Sequence, residues 1–346
     1  MRVSSFAPLP PARTGVAEYA ATLVKALRQY GPVRENEADC DAALYHLGNN
    51  PLHRGIYQRA LTRPGVVVLH DAVLTHFLLG TLEEETWTSE FVFNYGEWTR
   101  GFAGKLWHGR ANASADPRYF EYAMLKRIAE TSRATIVHNP AAARAVLRHA
   151  PGARVVEIPH FFEPVAATAP RPQAGPLRAG VFGYFRETKR LPAIVRAAHA
   201  AGPDVELVLA GSFASHDLAR TIAMPCTGFL PKDAFQRAAL SVDVCINLRY
   251  PSARETSGIG VQLMGLGKTV IFTSGEELAR LPEQSYLAVE HGPAEEKTLT
   301  EYLIWLAQNR QVCAEIGQRA AAHIREQHDL QKIAKMFWDV LSTAAN

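Results

Sequence analysis

The chain has 346 residues, of which 47% are hydrophobic, and this length predicts two domains because a single core seldom extends over so many residues. The formal net charge is only +3, from 37 basic and 34 acidic residues, so the composition argues against a nucleic-acid partner. The four cysteines have neither disulfide-type nor metal-type spacing, which favours a reducing compartment and argues against a zinc site. The N-terminus, MRVSSFAP, has no apolar signal core. We therefore expect a cytoplasmic protein.

The first strand is followed by a proline-rich loop, PLPPARTG, which runs from Pro8 to Gly15. Apolar residues at helical spacing come next, so Gly15 is predicted to open a helix. Glycine has no Cβ, and it therefore allows a ligand such as a diphosphate to approach the backbone amides closely. The alternative interpretation is a helix start that binds nothing.

The next strands end in polar residues. VVVLHD places His70 and Asp71 at the carboxyl end of a buried strand, where a ligand contact is expected in a parallel sheet. The alternative is an ordinary buried histidine, one of 13 in the chain. HLGNN, residues 46–50, also ends a strand and is predicted to border the same region. Asp39 and Asp41 spell D-x-D but precede a strand, so we predict that they bind no metal.

Residues 87–110 carry seven aromatic side chains interleaved with basic ones. Two interpretations stay open. Phe91, Tyr95, Trp98 and Phe102 fall at helical spacing, which favours ordinary core packing. A basic, aromatic helix also suits a membrane interface or a lipid-linked ligand, and this would place the protein peripherally at the inner face of the membrane.

A stretch rich in proline and alanine, EPVAATAPRPQAGP, separates two series of alternating strands and helices. The predicted fold class is therefore α/β, with two doubly wound Rossmann-like domains. We place the N-terminal domain at 1–165, the linker at 166–176 and the C-terminal domain at 177–325. A final amphipathic helix is expected over 326–346.

The second series begins with the strand AGVFGYF, and RETKRLPAIV follows it. This order places Arg186 and Lys189 in a loop at the carboxyl end of a strand. Arginine binds phosphate bidentately and lysine binds it as a point charge, so both would offset the negative charge on a departing diphosphate. For Arg186 the alternative is a solvated loop charge.

The segment NLRYPSARETSGIGVQLMGLG contains a strand-to-helix junction with Glu255 just before it. The turn residues that follow are Thr256, Ser257, Gly258 and Ile259. Free backbone N–H groups and the positive end of the helix dipole suit a diphosphate, while a nearby carboxylate suits sugar hydroxyls. The junction therefore predicts a nucleotide-sugar site; the alternative is a helix cap without a ligand. GLGKT, at 265–269, lacks the spacing of a phosphate loop and is interpreted as a helix end.

PSARETSG, followed by MGLGKTVIFT, resembles the donor-site segment of retaining glycosyltransferases of family 4. TGVAEY after the proline-rich loop resembles the glycine loop of the same family. The resemblance covers most of the chain and implies the GT-B fold, in which two Rossmann-like domains face each other across a cleft. It also implies an acceptor side at 1–165, a donor side at 177–325 and a last helix, 326–346, that packs back on the N-terminal domain.

The resemblance implies metal-independent transfer of a sugar from a nucleotide sugar, with UDP- or GDP-sugar as co-substrate and no cofactor. The acceptor would be a glycan, a lipid-linked glycan or a small molecule. His70 would contact the donor sugar, Glu255 a sugar hydroxyl, and Lys189 the diphosphate. The family pattern has a second glutamate eight positions after the first, where this chain has Leu263.

Two further functions stay open. A nucleotide-sugar epimerase of the same fold would isomerise its substrate without any acceptor. A non-catalytic subunit would bind the nucleotide sugar without turnover. Leu263, in place of the glutamate, is the observation that suggests this alternative. The sequence contains no pattern that defines an oligomeric state.

Overall fold

The structure is a computed structural model that describes residues 1–12, 14–164 and 175–345. The predicted linker, 166–176, lies outside the described residues except for its last two positions. The strands are β1 (Val3–Phe6), β2 (Val33–Glu35), β3 (Ala42–Leu47), β4 (Val66–Leu69), β5 (Ala134–Val137), β6 (Val155–Glu157), β7 (Leu177–Phe185), β8 (Val205–Phe213), β9 (Val244–Asn247), β10 (Thr269–Thr273) and β11 (Leu287–Val289). The helices are α1 (Gly15–Leu27), α2 (Arg54–Thr62), α3 (Thr75–Leu79), α4 (Glu84–Tyr95), α5 (Arg100–His108), α6 (Arg118–Glu121), α7 (Lys126–Thr131), α8 (Pro140–His149), α9 (Leu191–Ala200), α10 (His216–Ile222), α11 (Lys232–Leu240), α12 (Gly258–Gly265), α13 (Glu295–Gln308), α14 (Arg310–Gln327) and α15 (Leu330–Ala345).

The chain divides into two compact units. Unit 1 comprises Met1–His160, Pro251–Thr256 and the C-terminal segment from Leu330, and unit 2 comprises Phe161–Tyr250 and Ser257–Asp329. The bounds predicted from the sequence, 1–165 and 177–325, describe an unbroken division along the chain. In the structure 251–256 belongs to unit 1 instead, and so does the last helix, which the resemblance implied would pack back on the N-terminal domain.

Unit 1 contains a six-stranded parallel sheet with the order β2-β1-β3-β4-β5-β6. All four residues of β4 are buried, so the sheet is covered on both faces, as is usual for parallel sheets. The last helix, α15, packs on α1 and on β3 and buries Ile333, Phe337 and Leu341 completely. The strand order reverses between β1 and β3, and open α/β sheets bind ligands at the carboxyl side of such a switch point.

Unit 2 contains a five-stranded parallel sheet with the order β11-β10-β9-β7-β8. Alternate residues of β9 enter two separate apolar clusters, Val244 and Ile246 in one and Cys245 in the other. Because successive strand residues point to opposite faces, this alternation shows that helices cover both faces of the sheet. The strand order reverses between β7 and β9. The two doubly wound parallel sheets confirm the predicted fold class.

The aromatic stretch 87–110 forms two helices, α4 and α5, because Gly96 interrupts it with φ 95°. Trp87 and Phe91 are fully buried in unit 1, as the packing interpretation expects. For Trp98 the packing interpretation is wrong, because this residue lies in the turn between the helices and is 84% exposed. In the part of the chain that the structure describes, no helix combines the length and the apolar character needed to span a membrane.

Candidate functional site

In unit 2, side chains join the end of β9 to the start of α12. Ser257 is the N-cap of this helix, and its Oγ accepts a hydrogen bond of 3.1 Å from the backbone N–H of Gly260. Asn247, the last residue of β9, donates from Nδ2 to the same Oγ at 2.8 Å. The strand therefore holds the helix N-terminus in place through one amide and one hydroxyl group.

Lys189 continues this chain of hydrogen bonds. It was predicted in a loop after β7, and the structure buries it so that only 6% remains exposed. Its Nζ donates to the carbonyl oxygen of Phe182 at 3.2 Å and to Oδ1 of Asn247 at 3.2 Å. The chain from Lys189 through Asn247 to Ser257 thus spans the carboxyl ends of β7 and β9, at the switch point of the sheet.

The turn that carries Lys189 is held in an unusual backbone conformation. Glu187–Lys189 form a single 3-10 turn, and Arg190 follows with φ 59°, in the left-handed region. Nε of Arg190 donates to the buried carboxylate of Glu295 at 3.0 Å, and Nδ1 of His291 lies 2.8 Å from the other oxygen of that carboxylate. Non-glycine residues adopt this conformation only where their surroundings compensate for its cost, and such residues often lie at functional sites.

Arg186 lies apart from this chain of hydrogen bonds. It is exposed, and its guanidinium packs 5.3 Å from the ring centroid of Tyr184. The backbone N–H of Lys189 donates to the carbonyl of Arg186 at 2.9 Å, but the Arg186 guanidinium makes none of the hydrogen bonds described for the Lys189 side chain, and its contact with phosphate stays a prediction.

A glycine that the sequence analysis did not single out positions the start of α12. Gly183, in β7, has φ 103°, and a Cβ at this position would lie 2.4 Å from Cδ1 of Ile259. The side chain of Ile259, in the first turn of the helix, therefore packs against the backbone of β7, and the φ of Gly183 would strain any larger residue.

In unit 1, the segment 251–256 is fixed to the loops that follow β4 and β5. The carbonyl of Ala253 accepts from the N–H of Ala72 at 2.9 Å. Asn139 donates from Nδ2 to the carbonyl of Arg254 at 2.9 Å and to Oγ1 of Thr256 at 3.0 Å. The hydroxyl of Thr256 in turn donates to a backbone carbonyl in unit 1, at 3.2 Å.

Glu255 is half-buried within this segment, and Ser252 Oγ donates to its Oε2 at 3.4 Å. Because Ala72 comes two residues after His70, one backbone hydrogen bond joins the loop after His70 to the segment that carries Glu255. The structure thus brings these two predicted residues into the same unit. The predicted turn residues are divided, with Thr256 in unit 1 and Ser257, Gly258 and Ile259 in unit 2.

His70 belongs to a cluster of histidines at the carboxyl edge of the unit 1 sheet. Its Nε2 lies 3.0 Å from Nδ1 of His46, and its ring meets the buried ring of Tyr19 edge-on at 4.8 Å. His138 and His160 also pack against Tyr19, at 5.4 Å and 4.8 Å between ring centroids. Each of these histidines lies at or just after the end of β3, β4, β5 or β6.

Burial keeps the inner histidines neutral. It lowers the pKa of His46 to about 3, with smaller contributions from positive charge on His138 and His53. It also lowers the pKa of His53 to about 4, although a 2.9 Å hydrogen bond to the carbonyl of His46 acts in the opposite direction. The pKa of His70 lies well below its usual value, mainly through burial and then through the neighbouring histidines. At neutral pH His70 can therefore donate or accept a hydrogen bond, but it carries no charge.

The predicted glycine of the first loop opens α1, as expected. Thr14 caps the helix, because its Oγ1 accepts from the N–H of Ala17 at 3.1 Å. Apart from the neighbouring residues and the backbone of the helix itself, no atom of the described residues lies within 4 Å of a Cβ built on Gly15. A ligand role for Gly15 stays a prediction.

The two aspartates of the D-x-D pair have a structural partner. Asp39 and Asp41 both bind the Arg2 guanidinium, at 2.7 Å and 3.0 Å. Among the described residues, no three histidine, cysteine or acidic side chains are grouped as a metal site would require. Leu263 is buried in an apolar cluster of unit 2, so that position supplies no polar group.

The sequence analysis missed Asn247 and most of the histidine cluster. A signal was present for both. Asn247 ends the otherwise apolar strand VCIN, and apolar segments of the sequence also end at His46, His70 and His138. Carboxyl ends of neighbouring parallel strands meet at one edge of a sheet, so these residues could have been grouped once the strand order was known.

Several solved structures are similar to this chain over nearly its whole length. Sucrose-phosphate synthase from Thermosynechococcus elongatus has a TM-score of 0.69 and 16% identity, over 99% of both chains. HepE from Anabaena, in complex with UDP-glucose, has a TM-score of 0.67 and 14% identity, over 99% of this chain and 100% of HepE. WaaG, a glycosyltransferase involved in lipopolysaccharide biosynthesis, has a TM-score of 0.63 and 12% identity, over 98% and 99% of the two chains.

No protein-family model matches the chain, and no curated protein matches it by sequence. The structural similarity extends over almost the full length of these neighbours at low identity, and it therefore shows the fold. The chain has the GT-B fold, which confirms at this level the resemblance noted in its sequence.

Proposed function

We propose that this protein is a retaining glycosyltransferase, similar to family 4, that transfers a sugar from a UDP- or GDP-sugar without a metal ion. The observation that carries the proposal is the hydrogen-bonded chain of Lys189, Asn247 and Ser257 at the N-terminus of α12. It combines a fixed cation with free helix N–H groups at the switch point of a doubly wound sheet, and this combination suits a diphosphate.

The diphosphate is proposed to bind in unit 2. Its oxygens accept hydrogen bonds from the backbone N–H groups of Ser257, Gly258 and Ile259. The Lys189 ammonium offsets the negative charge that develops on the diphosphate as it leaves. The Thr256 amide and the Arg186 guanidinium are proposed to assist. Gly15 of unit 1 is proposed to leave room for a phosphate beside the first turn of α1, where the protein places no atom of its own.

The sugar is proposed to contact His70 and Glu255. Glu255 accepts a hydrogen bond from a sugar hydroxyl, and His70, neutral through its lowered pKa, donates or accepts another. In front-face displacement, the bond from the anomeric carbon to the leaving phosphate breaks as the bond to the acceptor oxygen forms on the same face. The acceptor proton passes to the departing diphosphate, so the chemistry requires no nucleophile from the protein.

A structural neighbour that binds a nucleotide sugar supports the proposed donor. HepE has been solved with UDP-glucose, and the similarity between HepE and this chain extends over both chains. We propose a glycan, a lipid-linked glycan or a small molecule as acceptor, and a cytoplasmic location with peripheral contact at the membrane. The exposed Trp98, between α4 and α5, is the feature on which the membrane contact depends.

Thermal unfolding with UDP, GDP, ADP and TDP in EDTA tests the donor site. A nucleotide at 100 times its dissociation constant stabilises the native state by about 2.7 kcal/mol, which gives a clear shift. We expect one nucleotide to be preferred, and we expect Lys189→Ala to weaken its binding at least tenfold relative to the variant's own unliganded baseline. If no nucleotide shifts the transition of the native chain, the donor site is wrongly assigned.

Product analysis with the matching nucleotide sugar then tests the reaction. Without an acceptor, a retaining transferase only hydrolyses the donor slowly. With an acceptor, it gives a product whose anomeric configuration is that of the donor. We expect Glu255→Gln to lower kcat/KM for the donor by at least tenfold. Isomerisation of the donor without acceptor would instead indicate an epimerase, and binding without any turnover would indicate the non-catalytic subunit that Leu263 suggests.

A further inference from the structure

Unit 1 contains a cavity of about 230 Å³ at the amino ends of its central strands. Its walls include the first residues of β3 and β4 and Arg133, which immediately precedes β5. His46 and His70 lie at the carboxyl ends of the same strands. The cavity is therefore at the opposite edge of the sheet from the residues proposed to contact the donor sugar.

Two arginines in the cavity converge on one neutral acceptor. Nη2 of Arg59 and Nη1 of Arg63 both donate to the carbonyl oxygen of Ala38, at 3.5 Å and 3.0 Å. Arg133 also lines the cavity, and its Nη1 donates to the carbonyl of Ala344 at 2.6 Å. Arg59 is half-buried and Arg63 and Arg133 are exposed, so water partly screens their like charges and the three side chains stay within reach of an anion.

Among residues 1–12, 14–164 and 175–345, no carboxylate neutralises these arginines, because none of Arg59, Arg63 and Arg133 takes part in an ion pair there. Nε of Arg59 is also buried without a hydrogen-bond partner in the described part of the chain. A buried N–H donor without an acceptor is costly, and a bound oxyanion would remove that cost.

One acidic residue, Asp41, lines the cavity, and Arg2 already occupies it. The backbone N–H of Arg2 donates to Oδ2 of Asp41 at 2.7 Å, and its Nη2 donates to Oδ1 at 3.0 Å. These hydrogen bonds lower the pKa of Asp41, so its charge is offset by Arg2 and not by the cavity arginines. Apart from Asp41, the charged residues that line the cavity are all arginines.

We propose that this cavity binds the phosphate group of a phosphomonoester, held by the guanidinium groups of Arg59, Arg63 and Arg133. Guanidinium groups bind phosphate oxygens bidentately, and the buried Nε of Arg59 would gain the acceptor that it lacks. The site is independent of the proposed sugar transfer, because none of its residues takes part in the donor site.

Cys40 lines the same cavity and provides a local reporter of its occupancy. Cys245 and Cys313 are buried and Cys226 is exposed, so the Cys226→Ser variant leaves Cys40 as the one cysteine with accessible surface. We would measure the alkylation rate of Cys40 by neutral iodoacetamide while adding inorganic phosphate at constant ionic strength. Phosphate is expected to slow alkylation at least fivefold, because it covers the thiol and its negative charge disfavours the thiolate.

In the same background, Arg63→Gln is expected to raise the half-protecting phosphate concentration about tenfold or more, since it removes a charge-assisted hydrogen bond. Arg148→Gln is the matched control, because Arg148 is an exposed arginine of unit 1 that does not line the cavity. It should leave protection unchanged. Equal protection by chloride at the same ionic strength, no protection by phosphate, or equal protection in Arg63→Gln and native chains would each overturn the proposal.

Glycerol 3-phosphate and vesicles containing phosphatidic acid distinguish two sources of the same phosphomonoester group. Protection by the soluble compound identifies a free small molecule, whereas protection only by the vesicles identifies a lipid headgroup. Lys189→Ala separates this site from the proposed donor site. It should reduce stabilisation by the preferred nucleotide and leave Cys40 protection by phosphate unchanged.

Discussion

Gly15 opens α1 in unit 1 and Gly183 lies in β7 of unit 2, and the packing around these two glycines differs. Gly183 has a left-handed φ and lies against Ile259, so the packing of unit 2 itself requires a glycine there. Nothing in the described protein lies within 4 Å of the place where a Cβ on Gly15 would be. A requirement for glycine at position 15 must therefore come from a ligand.

The substitution Gly15→Ala tests that requirement. Because alanine is the better helix former, we expect the free energy of unfolding to stay the same or to rise by up to about 1 kcal/mol. If a phosphate approaches the first turn of α1, the added methyl group should weaken nucleotide binding at least tenfold. Thermal unfolding and calorimetric titration with the preferred nucleotide measure the two effects separately.

Gly55→Ala is the matched control for this experiment. Gly55 also lies in the first turn of a helix of unit 1, α2, and a Cβ there would also meet no atom. It should gain the same stability and bind the nucleotide with unchanged affinity. A Gly15→Ala variant that binds as tightly as this control contradicts the ligand role of Gly15.

At the scale of elements, one polar chain connects two strands and a helix in unit 2. Lys189 follows β7, Asn247 ends β9 and Ser257 caps α12. The hydroxyl of Ser257 therefore has two functions, since it accepts from Gly260 in the helix and from the amide of Asn247. Removing it should affect both the helix end and the position of Asn247.

Ser257→Ala is expected to lower the free energy of unfolding by about 1 kcal/mol, the usual effect of losing an N-cap. It should also weaken nucleotide binding, because Asn247 loses the partner that orients it toward Lys189. Chemical unfolding measures the first effect and calorimetric titration measures the second.

Ser215→Ala separates capping from binding. Ser215 caps α10 in the same unit, where its side chain accepts from Leu218, and it lies on a different loop. We expect a similar loss of stability with unchanged nucleotide affinity. Equal affinities in the two variants would show that Ser257 acts only as a cap.

At the scale of the whole molecule, the buried histidines make stability depend on pH. The pKa of His46 is lowered to about 3 and that of His53 to about 4 in the folded state, while both are near 6.5 when unfolded. Above pH 6.5 both groups are neutral in either state and their contribution is complete. Below it the unfolded chain binds protons that the folded chain does not bind, so stability is lost as the pH falls toward the folded values.

We expect each of these histidines to remove up to about 1.4 kcal/mol of stability per pH unit below 6.5. For the pair, the loss between pH 7 and pH 5 is up to about 4 kcal/mol. This loss of stability is measured by hydrogen exchange of β3 and β4 in unit 1 as a function of pH. His53→Asn keeps a donor near the Nδ1 position and cannot titrate, so it should reduce the pH dependence.

His216→Gln is the control, because His216 is exposed at the start of α10 in unit 2. It should leave the pH dependence of unit 1 unchanged. If His53→Asn and the native chain lose stability equally between pH 7 and pH 5, the buried histidine does not cause the acid sensitivity.

The sequence predicted the elements around the site better than the contacts within it. Apolar alternation identified β9, and the turn after it correctly placed Ser257 before a helix. Lys189 was correctly assigned to the connection after β7, but it was expected in an open loop and is buried. A local pattern cannot show this burial, because the acceptor Asn247 is 58 residues away along the chain.

By itself the sequence determined the α/β class, the two series of parallel strands and the candidate residues at strand ends. These properties follow from hydrophobic periodicity and turn chemistry, which act over a few neighbouring residues. Only the tertiary structure decided that four strand-end histidines surround Tyr19, that 251–256 belongs to unit 1 and that Arg59, Arg63 and Arg133 share a cavity. Each of these depends on which strands become neighbours, and that order is set by packing between residues far apart in the chain.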